Sequence, residues 1–286
     1  MSNEKILNDI GEELEEIEVE KEKNNLLELY SNYKGKDEIV SSREMIKKNA
    51  SRKDEEEEKI LTNLPKLNEL TEGFRTGEVV VISAQTKQGK TSLLQSFTHD
   101  FIQNDIPVLW FSYEMRQQDF LRKFGEPCPE FALPKNLTGN SIEWIEKRII
   151  ESIAKYGTKA ICIDHLHYLL SMNDIKNRGG ISLLIGALMR ELVRIAREWN
   201  VCIFLIAHTT KLDYSQKPEI SDIRDSSFLA QEASIVLMLW RLKKQGDEGF
   251  SNESKLSVGA NRRNGNTGVV NIIYEQGRFN EKDSIH

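Results

Sequence analysis

The sequence predicts an α/β fold built around a mostly parallel sheet that is covered by helices. Two observations lead to this prediction: short, nearly continuous apolar runs recur from Leu64 onward, and stretches with helical periodicity lie between them. Strands that are apolar on both faces are typical of parallel sheets, which helices cover on each side. The 286 residues favour one large domain or two small ones and are ample for a sizeable core.

Five apolar runs predict the parallel strands, and two later runs predict a closing hairpin. The five runs are VVVIS (79–83), VLWFS (108–112), AICI (160–163), CIFLIA (202–207) and IVLMLW (235–240). The hairpin joins KLSVGA (255–260) to GVVNIIY (268–274) through NRRNGNT, which contains the strong turn signal Asn-Gly. Helices are predicted over 90–104, 141–156 and 181–199, whereas 126–134 is expected to form an extended connection.

Residues 1–60 differ in kind from the rest, so we expect a charged helical arm over 1–60 and a separate α/β domain over 61–286. The arm has 18 acidic and 11 basic side chains, whereas the other 226 residues have 27 and 28. One narrow apolar stripe is formed at helical spacing by Ile6, Leu7, Ile10, Leu14 and Ile17. Such a helix is expected to dock on the body or on a neighbouring subunit, while 31–60 is either helical or a solvated arm.

The composition argues against secreted, membrane-spanning and zinc-ribbon proteins. Apolar residues make up 39% and charged residues 29% of the chain, and no apolar run approaches the ~20 residues that span a bilayer. The acidic start does not resemble a signal peptide. Three cysteines (Cys128, Cys162, Cys202) provide neither a disulfide framework nor paired metal-ligand spacing, and the last two are expected in buried strands. We therefore expect an intracellular, cytoplasmic location, which is the host cytoplasm if the chain is viral, and no membrane partner.

The segment VVVISAQTKQGKTSLL predicts a phosphate-binding loop between a strand and a helix. Backbone N–H groups at the start of such a helix face phosphates, where the helix dipole favours negative charge. Lys90 is expected to reach the β- and γ-phosphates of ATP, and the Thr91 hydroxyl is expected to coordinate Mg²⁺. Ala84 replaces the first glycine of the usual pattern. The expected nucleotide-binding residues are Ala84, Gln85, Thr86, Lys87, Gln88, Gly89, Lys90, Thr91 and Ser92.

Two carboxylates follow predicted strands and are candidates for ATP hydrolysis. Asp164 ends the strand AICI and suits Mg²⁺, either directly or through water and Thr91. Glu114 follows VLWFS and is placed to orient and polarise an attacking water. Both would project from the carboxyl edge of the sheet, where open α/β sheets bind ligands. The alternatives are that Asp164 caps the next turn and that Glu114 is a solvated surface residue.

Six ordered segments over about 64–280 resemble hexameric replicative helicases of the DnaB type, which have a RecA-like core. The chain is most similar to compact phage or plasmid members without a primase module. The six segments are LNELTEGFRTGEVVVISAQTKQGKTSLL, FSYEM (111–115), ICIDHLHYL (161–169), FLIAHTTK (204–211), DIRDSSFLAQEASIVLMLWR (222–241) and GANRRNGNTGVVNIIY (259–274). This resemblance implies that Glu114 is catalytic and that Asp164 belongs to the Walker B motif.

The resemblance also implies two residues that respond to the γ-phosphate. His208 occupies the position of a polar sensor, and Arg263 that of an arginine finger reaching across a subunit interface. Arg262 is adjacent and is an alternative finger. Asn261 stands where the family often has a lysine, so one expected positive charge is missing. Without the resemblance, His208 would be a satisfied histidine and NRRNG a basic turn.

Two further segments are expected to contact single-stranded DNA through its phosphates. The resemblance places Arg224 in a central-pore loop, with backbone N–H groups around Asp225 and Ser227. The basic loop KNRGG adds Lys176 and Arg178. Either loop alone would be ordinary surface, but six copies around a ring would concentrate positive charge in a channel.

Other residues are expected to serve only the core. Trp144, Ile145 and Ile149 have the spacing of a packed helix face. His165 and His167 lie near Asp164, where alternating side chains along a strand end explain them, and we predict no zinc site there.

The resulting expectation is an ATP- and Mg²⁺-dependent DNA helicase motor that works as a homo-oligomer, in the form of a hexameric ring. Single-stranded DNA is the expected partner, together with a primase, a loader or other replisome proteins. One rival is a regulatory or recombination-mediator ATPase of the same core that does not unwind DNA. A second rival is a paralogue that binds ATP and hydrolyses it negligibly.

Overall fold

The computed structural model describes residues 19–35, 37–50, 58–170, 181–209, 217–223, 226–243 and 250–282. The chain forms two compact units, Met1–Glu56 and Glu57–His286. No described helix is both long enough and apolar enough to cross a membrane.

The first unit is helical in its described part. Helix α1 covers 19–31, and α2 covers Ser42–Ala50. The Ser41 hydroxyl accepts a hydrogen bond from the Glu44 N–H at the start of α2, a typical N-cap contact. Glu44 in the first turn and Lys47 in the last turn also suit the helix dipole. The apolar stripe predicted between Ile6 and Ile17 lies outside the described residues.

The second unit contains an eight-stranded sheet with the order β2-β3-β4-β1-β5-β6-β7-β8. The strands are β1 (Val79–Ala84), β2 (Val108–Ser112), β3 (Ala160–Asp164), β4 (Cys202–His208), β5 (Ile235–Lys243), β6 (Phe250–Asn261), β7 (Gly268–Glu275) and β8 (Arg278–Glu281). The first five are parallel to one another, and β6, β7 and β8 continue the sheet in antiparallel pairs. The predicted mostly parallel α/β fold is confirmed, as are the five apolar strands and the hairpin.

Helices cover both faces of the sheet because the central strands are apolar on both sides. They are α3 (Pro65–Thr71), α4 (Lys90–Gln103), α5 (Gln117–Arg122), α6 (Ile142–Tyr156), α7 (Ile181–Glu198) and α8 (Ser226–Glu232). On one face α3, α4 and α5 pack through residues such as Leu67, Phe97 and Phe120. On the other face α6, α7 and α8 pack through residues such as Ile149 and Met189. Burial at ~25 cal/mol per Å² of apolar surface is the main driving force for this layering.

Several smaller expectations are confirmed in the described part. Ile145 and Ile149 are buried, and the Trp144 ring packs edge-on against Phe111 with centroids 6.0 Å apart. Cys162 and Cys202 are buried in β3 and β4. The extended connection pairs with the edge of the sheet, since the Ala132 N–H donates to the Val108 carbonyl at 2.8 Å. Helices α3, α5 and α8 and strand β8 were not predicted.

The last strand closes the sheet against α4. The Phe279 N–H donates to the Ser96 hydroxyl at 2.9 Å, and Arg278 forms an ion pair with the buried Asp100. The Lys66 N–H donates to the Glu281 carboxylate at 2.9 Å, so the start of α3 is held to the same strand. These contacts fix α4 and the loop before it.

Candidate active site

The phosphate-binding loop connects the end of β1 to the start of α4. Gly89 ends the loop with φ 96°, in the left-handed region where a side chain is disfavoured. Its carbonyl accepts the first helical hydrogen bond, from the Leu93 N–H at 2.8 Å. A Cβ at Gly89 would lie 3.4 Å from the Phe279 ring. The positive φ therefore favours glycine at this position, whereas a Cβ would make an ordinary van der Waals contact with β8.

Lys90 is buried at the start of α4, with its ammonium group folded back on the loop. Its Nζ donates to the carbonyl oxygens of Ala84 at 3.0 Å and Gln85 at 2.9 Å. Burial lowers the pKa of Lys90 to about 8, although the carboxylates of Asp164 and Glu114 act in the opposite direction. An anion placed beside this ammonium would favour its charged form.

Thr91 and Asp164 form a direct pair between α4 and the end of β3. The Thr91 hydroxyl donates to Oδ2 of Asp164 at 2.7 Å. Asp164 is fully buried, and its Oδ1 has no hydrogen-bond partner among the described residues. Burial raises the pKa of Asp164 to about 6, opposed by the Thr91 hydrogen bond and reinforced by Glu114. Buried polar atoms are nearly always satisfied, so Oδ1 is suited to a cation or water.

Glu114 and His208 lie at the same carboxyl edge of the sheet. Ala84 pairs in register with His208, and Ser112 pairs with Asp164, so the parallel strands end together. The Tyr113 N–H extends this pairing by donating to the Asp164 carbonyl at 2.8 Å. Glu114 follows with an exposed side chain. This convergence is the arrangement that the strand-end positions predicted.

Two histidines meet beside Glu114. The rings of His165 and His208 pack edge to face with centroids 4.4 Å apart. One ligand atom each from Glu114, His165 and His208 lies within 4.8 Å of the other two. Burial lowers the pKa of His165 to about 4, with smaller contributions from His167 and Lys90. His165 is therefore a neutral imidazole near pH 7.

A cavity of about 480 Å³ opens over the loop, a size suited to a small-molecule ligand. Thr86 to Ser92, Glu114 and His208 line it. Ala84, Gln85 and Asp164 stand behind this lining, where they hold Lys90 and Thr91. The sequence analysis missed the other lining residues, which are Lys123, Arg241, Asn252, Ser254, Tyr274 and Phe279.

Strand β5 is connected directly to the loop. The Arg241 N–H donates to the Gln88 side-chain oxygen at 2.7 Å, and Gln88 is buried. The Arg241 guanidinium lies 5.2 Å from the centroid of the Phe250 ring and donates to the Ser251 carbonyl. The antiparallel part of the sheet thus forms one wall of the cavity.

The two candidate finger arginines have different surroundings. Arg262 is exposed, and its guanidinium donates to the Ala230 carbonyl at 3.4 Å. Arg263 is half-buried, with Nη1 3.0 Å from the Glu78 carboxylate and Nη2 bonded to the carbonyls of Thr71 and Gly73. Within one chain, Arg263 is the more firmly held of the two.

The sequence pattern of the family described as DnaB-like helicase C terminal domain matches residues 59–125 and 134–281. The chain belongs to this family. The match includes the loop, both strand-end carboxylates, His208 and both arginines. It passes over 126–133, most of the segment that pairs with the edge of β2.

Curated relatives of this DnaB-like chain are replicative DNA helicases named DnaB. The Mycoplasma genitalium protein is 27% identical over 280 aligned positions, covering 83% of this chain and 59% of the relative. The Helicobacter pylori protein is 26% identical over 303 positions, covering 88% and 62%. The chain therefore spans between half and two thirds of the length of these relatives.

Solved structures share the DnaB-like fold. A DnaB-like replicative helicase, studied for its interactions with primase, has a TM-score of 0.68 and 19% identity, covering 98% of this chain and 76% of that chain. A solved ATPase domain has a TM-score of 0.71, also at 19% identity, covering 86% of this chain and all of that one. These similarities confirm the RecA-like fold.

The residues expected to contact DNA fall largely outside the described part of the DnaB-like chain. Lys176, Arg178, Arg224 and Asp225 lie in segments that the structure does not describe. The backbone of Ser227 is in the first turn of α8, and its side chain is not described. Their role stays a prediction.

Proposed function

We propose that this chain is the motor of a DnaB-type replicative helicase, which hydrolyses ATP and moves along single-stranded DNA. The observation on which the proposal depends is the Thr91–Asp164 hydrogen bond of 2.7 Å beside the buried Lys90. Glu114 and His208 lie at the same edge of the sheet and line the same cavity. The family match and the helicase names of the relatives support the choice of this reaction.

The loop binds the triphosphate of ATP. Backbone N–H groups at the start of α4 face the phosphates, and Lys90 supplies the positive charge. A phosphate beside Lys90 favours the charged ammonium and so raises its lowered pKa, which couples binding to uptake of a small fraction of a proton near pH 7. Arg241, Tyr274 and the other residues of the β5–β8 wall enclose the remainder of the nucleotide.

Thr91 and Asp164 fit a Mg²⁺ ion. They provide a hydroxyl and a carboxylate, the oxygen ligands that Mg²⁺ prefers, and Oδ1 of Asp164 has no other partner in the described chain. A Mg²⁺ ion bound there would neutralise the negative charge that develops on the phosphates during hydrolysis. The raised pKa of Asp164 means that a cation must displace a proton from part of the population near pH 6.

Glu114 acts on the attacking water. Its exposed carboxylate lies at the rim of the cavity, where it can accept a proton from a water and hold that water in line with the γ-phosphate. His208 senses the γ-phosphate. Because the His208 backbone pairs with Ala84 at the end of β1, a movement of His208 is transmitted to the phosphate-binding loop.

The motor is a homo-oligomer, and we propose a hexameric ring with nucleotide at the interfaces between subunits. Arg263 reaches the γ-phosphate bound by the neighbouring subunit, with Arg262 as the alternative finger. Arg224, Asp225 and Ser227, together with Lys176 and Arg178, contact the phosphates of single-stranded DNA in the central pore.

Assignment as a DnaB-type motor also predicts contacts between subunits and with other replication proteins. Within the charged arm over 1–60, the helix expected around residues 4–18 docks on the ATPase domain, 61–286, of the next subunit, so deletion of 1–25 should disrupt the hexamer. A solved DnaB-like helicase is described with its interactions with primase, which supports primase, a loader or another replisome protein as a partner here.

Strand displacement tests the proposal. The purified chain should hydrolyse ATP faster with single-stranded DNA and should unwind a forked duplex. Glu114→Gln should reduce turnover by ~10²–10⁴-fold while ATP binding remains, and Glu130→Gln, another exposed glutamate, is the matched control. DNA-stimulated hydrolysis without unwinding under any loading condition would favour the regulatory ATPase. Turnover unaffected by Glu114→Gln would favour the paralogue with negligible hydrolysis.

A further inference from the structure

A His-His-Glu cluster occupies the carboxyl edge of three neighbouring strands. Glu114 follows β2, His165 follows β3 and His208 ends β4. Because β3 lies between β2 and β4 in the sheet, the three side chains converge. One ligand atom from each lies within 4.8 Å of the other two.

The donor set of this cluster differs from that of the Thr91–Asp164 pair. Two imidazoles with one carboxylate form a set that binds Zn²⁺ and related transition metals, whereas Mg²⁺ prefers oxygen ligands alone. Neighbouring donors around a tetrahedral Zn²⁺ are ~3.3 Å apart, given bonds of ~2.0–2.1 Å. The three ligand atoms lie within 4.8 Å of one another, so they must approach by up to about 1.5 Å to reach that spacing.

We propose that Glu114, His165 and His208 form a binding site for a transition-metal ion of the Zn²⁺ type. This site is separate from the Mg²⁺ pair and holds three protein ligands, which leaves a fourth position for water. The prediction that His165 and His167 form no zinc site concerned a different pair of residues. The structure brings His208 and Glu114 to His165, and strand order was needed to see it.

Occupation of the site blocks hydrolysis, a consequence that rests on the proposed function. A carboxylate bound to a metal ion no longer accepts a proton from water, so Glu114 is withdrawn from catalysis. His208 is withdrawn from the γ-phosphate in the same way. The site would therefore make the motor sensitive to free transition metal while Mg²⁺ remains in excess.

The His165 ring accepts a hydrogen bond that metal binding must replace or accommodate. Its Nδ1 accepts a hydrogen bond from the His167 N–H at 3.3 Å, near the long limit for such a bond. A metal ion on Nδ1 replaces this weak bond, and a metal ion on Nε2 requires the other tautomer.

Cobalt binding tests the site directly. Co²⁺ is titrated into the nucleotide-free full chain, and visible absorption reports low-coordinate Co²⁺ with nitrogen ligands, whereas an all-oxygen octahedral site absorbs weakly. We expect one absorbing Co²⁺ per chain, displaced by Zn²⁺ and retained by Thr91→Ala. His165→Gln should weaken binding at least about tenfold, since loss of even an outer-shell partner costs ~10–100-fold.

Matched variants separate this cluster from other histidines. His167→Gln removes a ring 5.5 Å from His165 that is not part of the ligand set, and it should retain Co²⁺ binding. His208→Gln is the second loss variant, in case His165→Gln does not fold as judged by circular dichroism. Equal binding by wild type, His165→Gln and His208→Gln, or no absorbing Co²⁺ in the wild type, would overturn the proposal.

Inhibition separates failure of the site from failure of the proposed function. With Mg²⁺ and ATP held constant, Zn²⁺ should lower the ATP turnover of the wild type. In His165→Gln, Zn²⁺ should lower turnover by a smaller factor, so the ratio of turnover with Zn²⁺ to turnover without it should be closer to one. An active wild type without Co²⁺ binding refutes the metal site alone. Co²⁺ binding by a chain with no ATPase activity supports the site and refutes the motor.

Discussion

The Arg263 guanidinium is paired with the Glu78 carboxylate in the same chain, with Nη1 and Oε1 3.0 Å apart. It also donates to the carbonyl of Gly73 at 2.7 Å and to that of Thr71, where α3 ends. Cations are favoured at helix C-termini, so this is a stable position for the side chain. An arginine finger at Arg263 must leave these partners when it reaches a neighbouring subunit.

Mixing inactive variants should reveal which arginine acts between subunits. Lys90→Ala removes the phosphate contact and Arg263→Ala removes the finger, so each alone should lose ~10³-fold or more of its turnover. Mixed oligomers contain some interfaces with both groups intact and should recover part of the activity. Steady-state ATPase measured across mixing ratios checks this.

The adjacent arginine is the control for that experiment. Arg262→Ala should keep most of the turnover, and Arg263→Lys should show whether folding survives when the positive charge at this position is kept. If Lys90→Ala is rescued by mixing with an inactive Arg262→Ala but never with Arg263→Ala, Arg262 is the finger and Arg263 is structural.

Replacing the Thr91 hydroxyl should affect both Mg²⁺ use and stability. Thr91→Val leaves Oδ2 of the buried Asp164 without its donor, which costs about 1–3 kcal/mol in the free energy of unfolding. It also removes a Mg²⁺ ligand, so half-maximal turnover should need more Mg²⁺. Urea unfolding and a Mg²⁺ titration check both effects. Thr91→Ser keeps the hydroxyl, and a Mg²⁺ dependence equal in Val and Ser variants would contradict the role of Thr91.

An alanine at Gly89 should impair nucleotide binding through the loop. The backbone there has φ 96°, and the new Cβ would lie 3.4 Å from the Phe279 ring. A side chain at this φ strains the backbone by ~1–2 kcal/mol. The loop relieves this strain by leaving the conformation that binds nucleotide, so nucleotide affinity should fall by ~10-fold. Fluorescent-nucleotide titration measures this.

Gly277 provides a matched comparison for Gly89. It also has positive φ, at 82°, but a Cβ there would meet nothing within 4 Å. Gly277→Ala should therefore cost similar stability while nucleotide affinity stays unchanged. Equal affinity losses in both variants would point to a general destabilisation rather than to the loop.

The ion pair between α6 and α7 should make stability depend on pH. Arg194 donates to both Glu146 oxygens, at 3.1 and 2.7 Å, and the Trp199 indole also donates to one of them. These bonds, led by that from Arg194, lower the pKa of Glu146. A lowered carboxyl pKa stabilises the fold above the unfolded-state pKa of ~4.3, and this contribution is lost as pH falls through the folded pKa.

Glu146→Gln should therefore destabilise the chain by about 1 kcal/mol at pH 7, the upper range for exposed ion pairs, and by much less near pH 3. Urea unfolding of both proteins across this pH range measures the difference. The exposed Glu69→Gln in α3 is the control and should change little at any pH. A Glu146→Gln difference that stays constant down to pH 3 would show that the lost contact is not ionic.

The sequence was sufficient for seven of the eight described strands and for the loop because each of these is a local signal. VVVIS and AICI are buried runs bounded by polar residues, and GKT follows the first run within a few residues. Glu114 and Asp164 were found for the same reason, since each directly follows or ends such a run. Their meeting at one edge then required only that the strands be parallel.

The rest of the site depends on which strands are neighbours in the sheet. The sequence analysis predicted the strands but not their order. Arg241, Tyr274 and Phe279 reach the cavity because β5 pairs with β1 and because β8 packs back on α4. His165 meets His208 only because β3 and β4 are adjacent. Helices α3, α5 and α8 were missed since six or seven residues contain too few turns to show a period.

The contacts between β8 and α4 determine when, during its synthesis, the protein becomes able to bind ATP. Helix α4 is complete at Gln103, yet Arg278 and Phe279, which hold it, are translated long afterwards. A nascent chain that stops short of these residues exposes the apolar flank of α4 and lacks the ring beside Gly89. Ribosome-bound intermediates should therefore be unable to capture ATP until translation has passed β8.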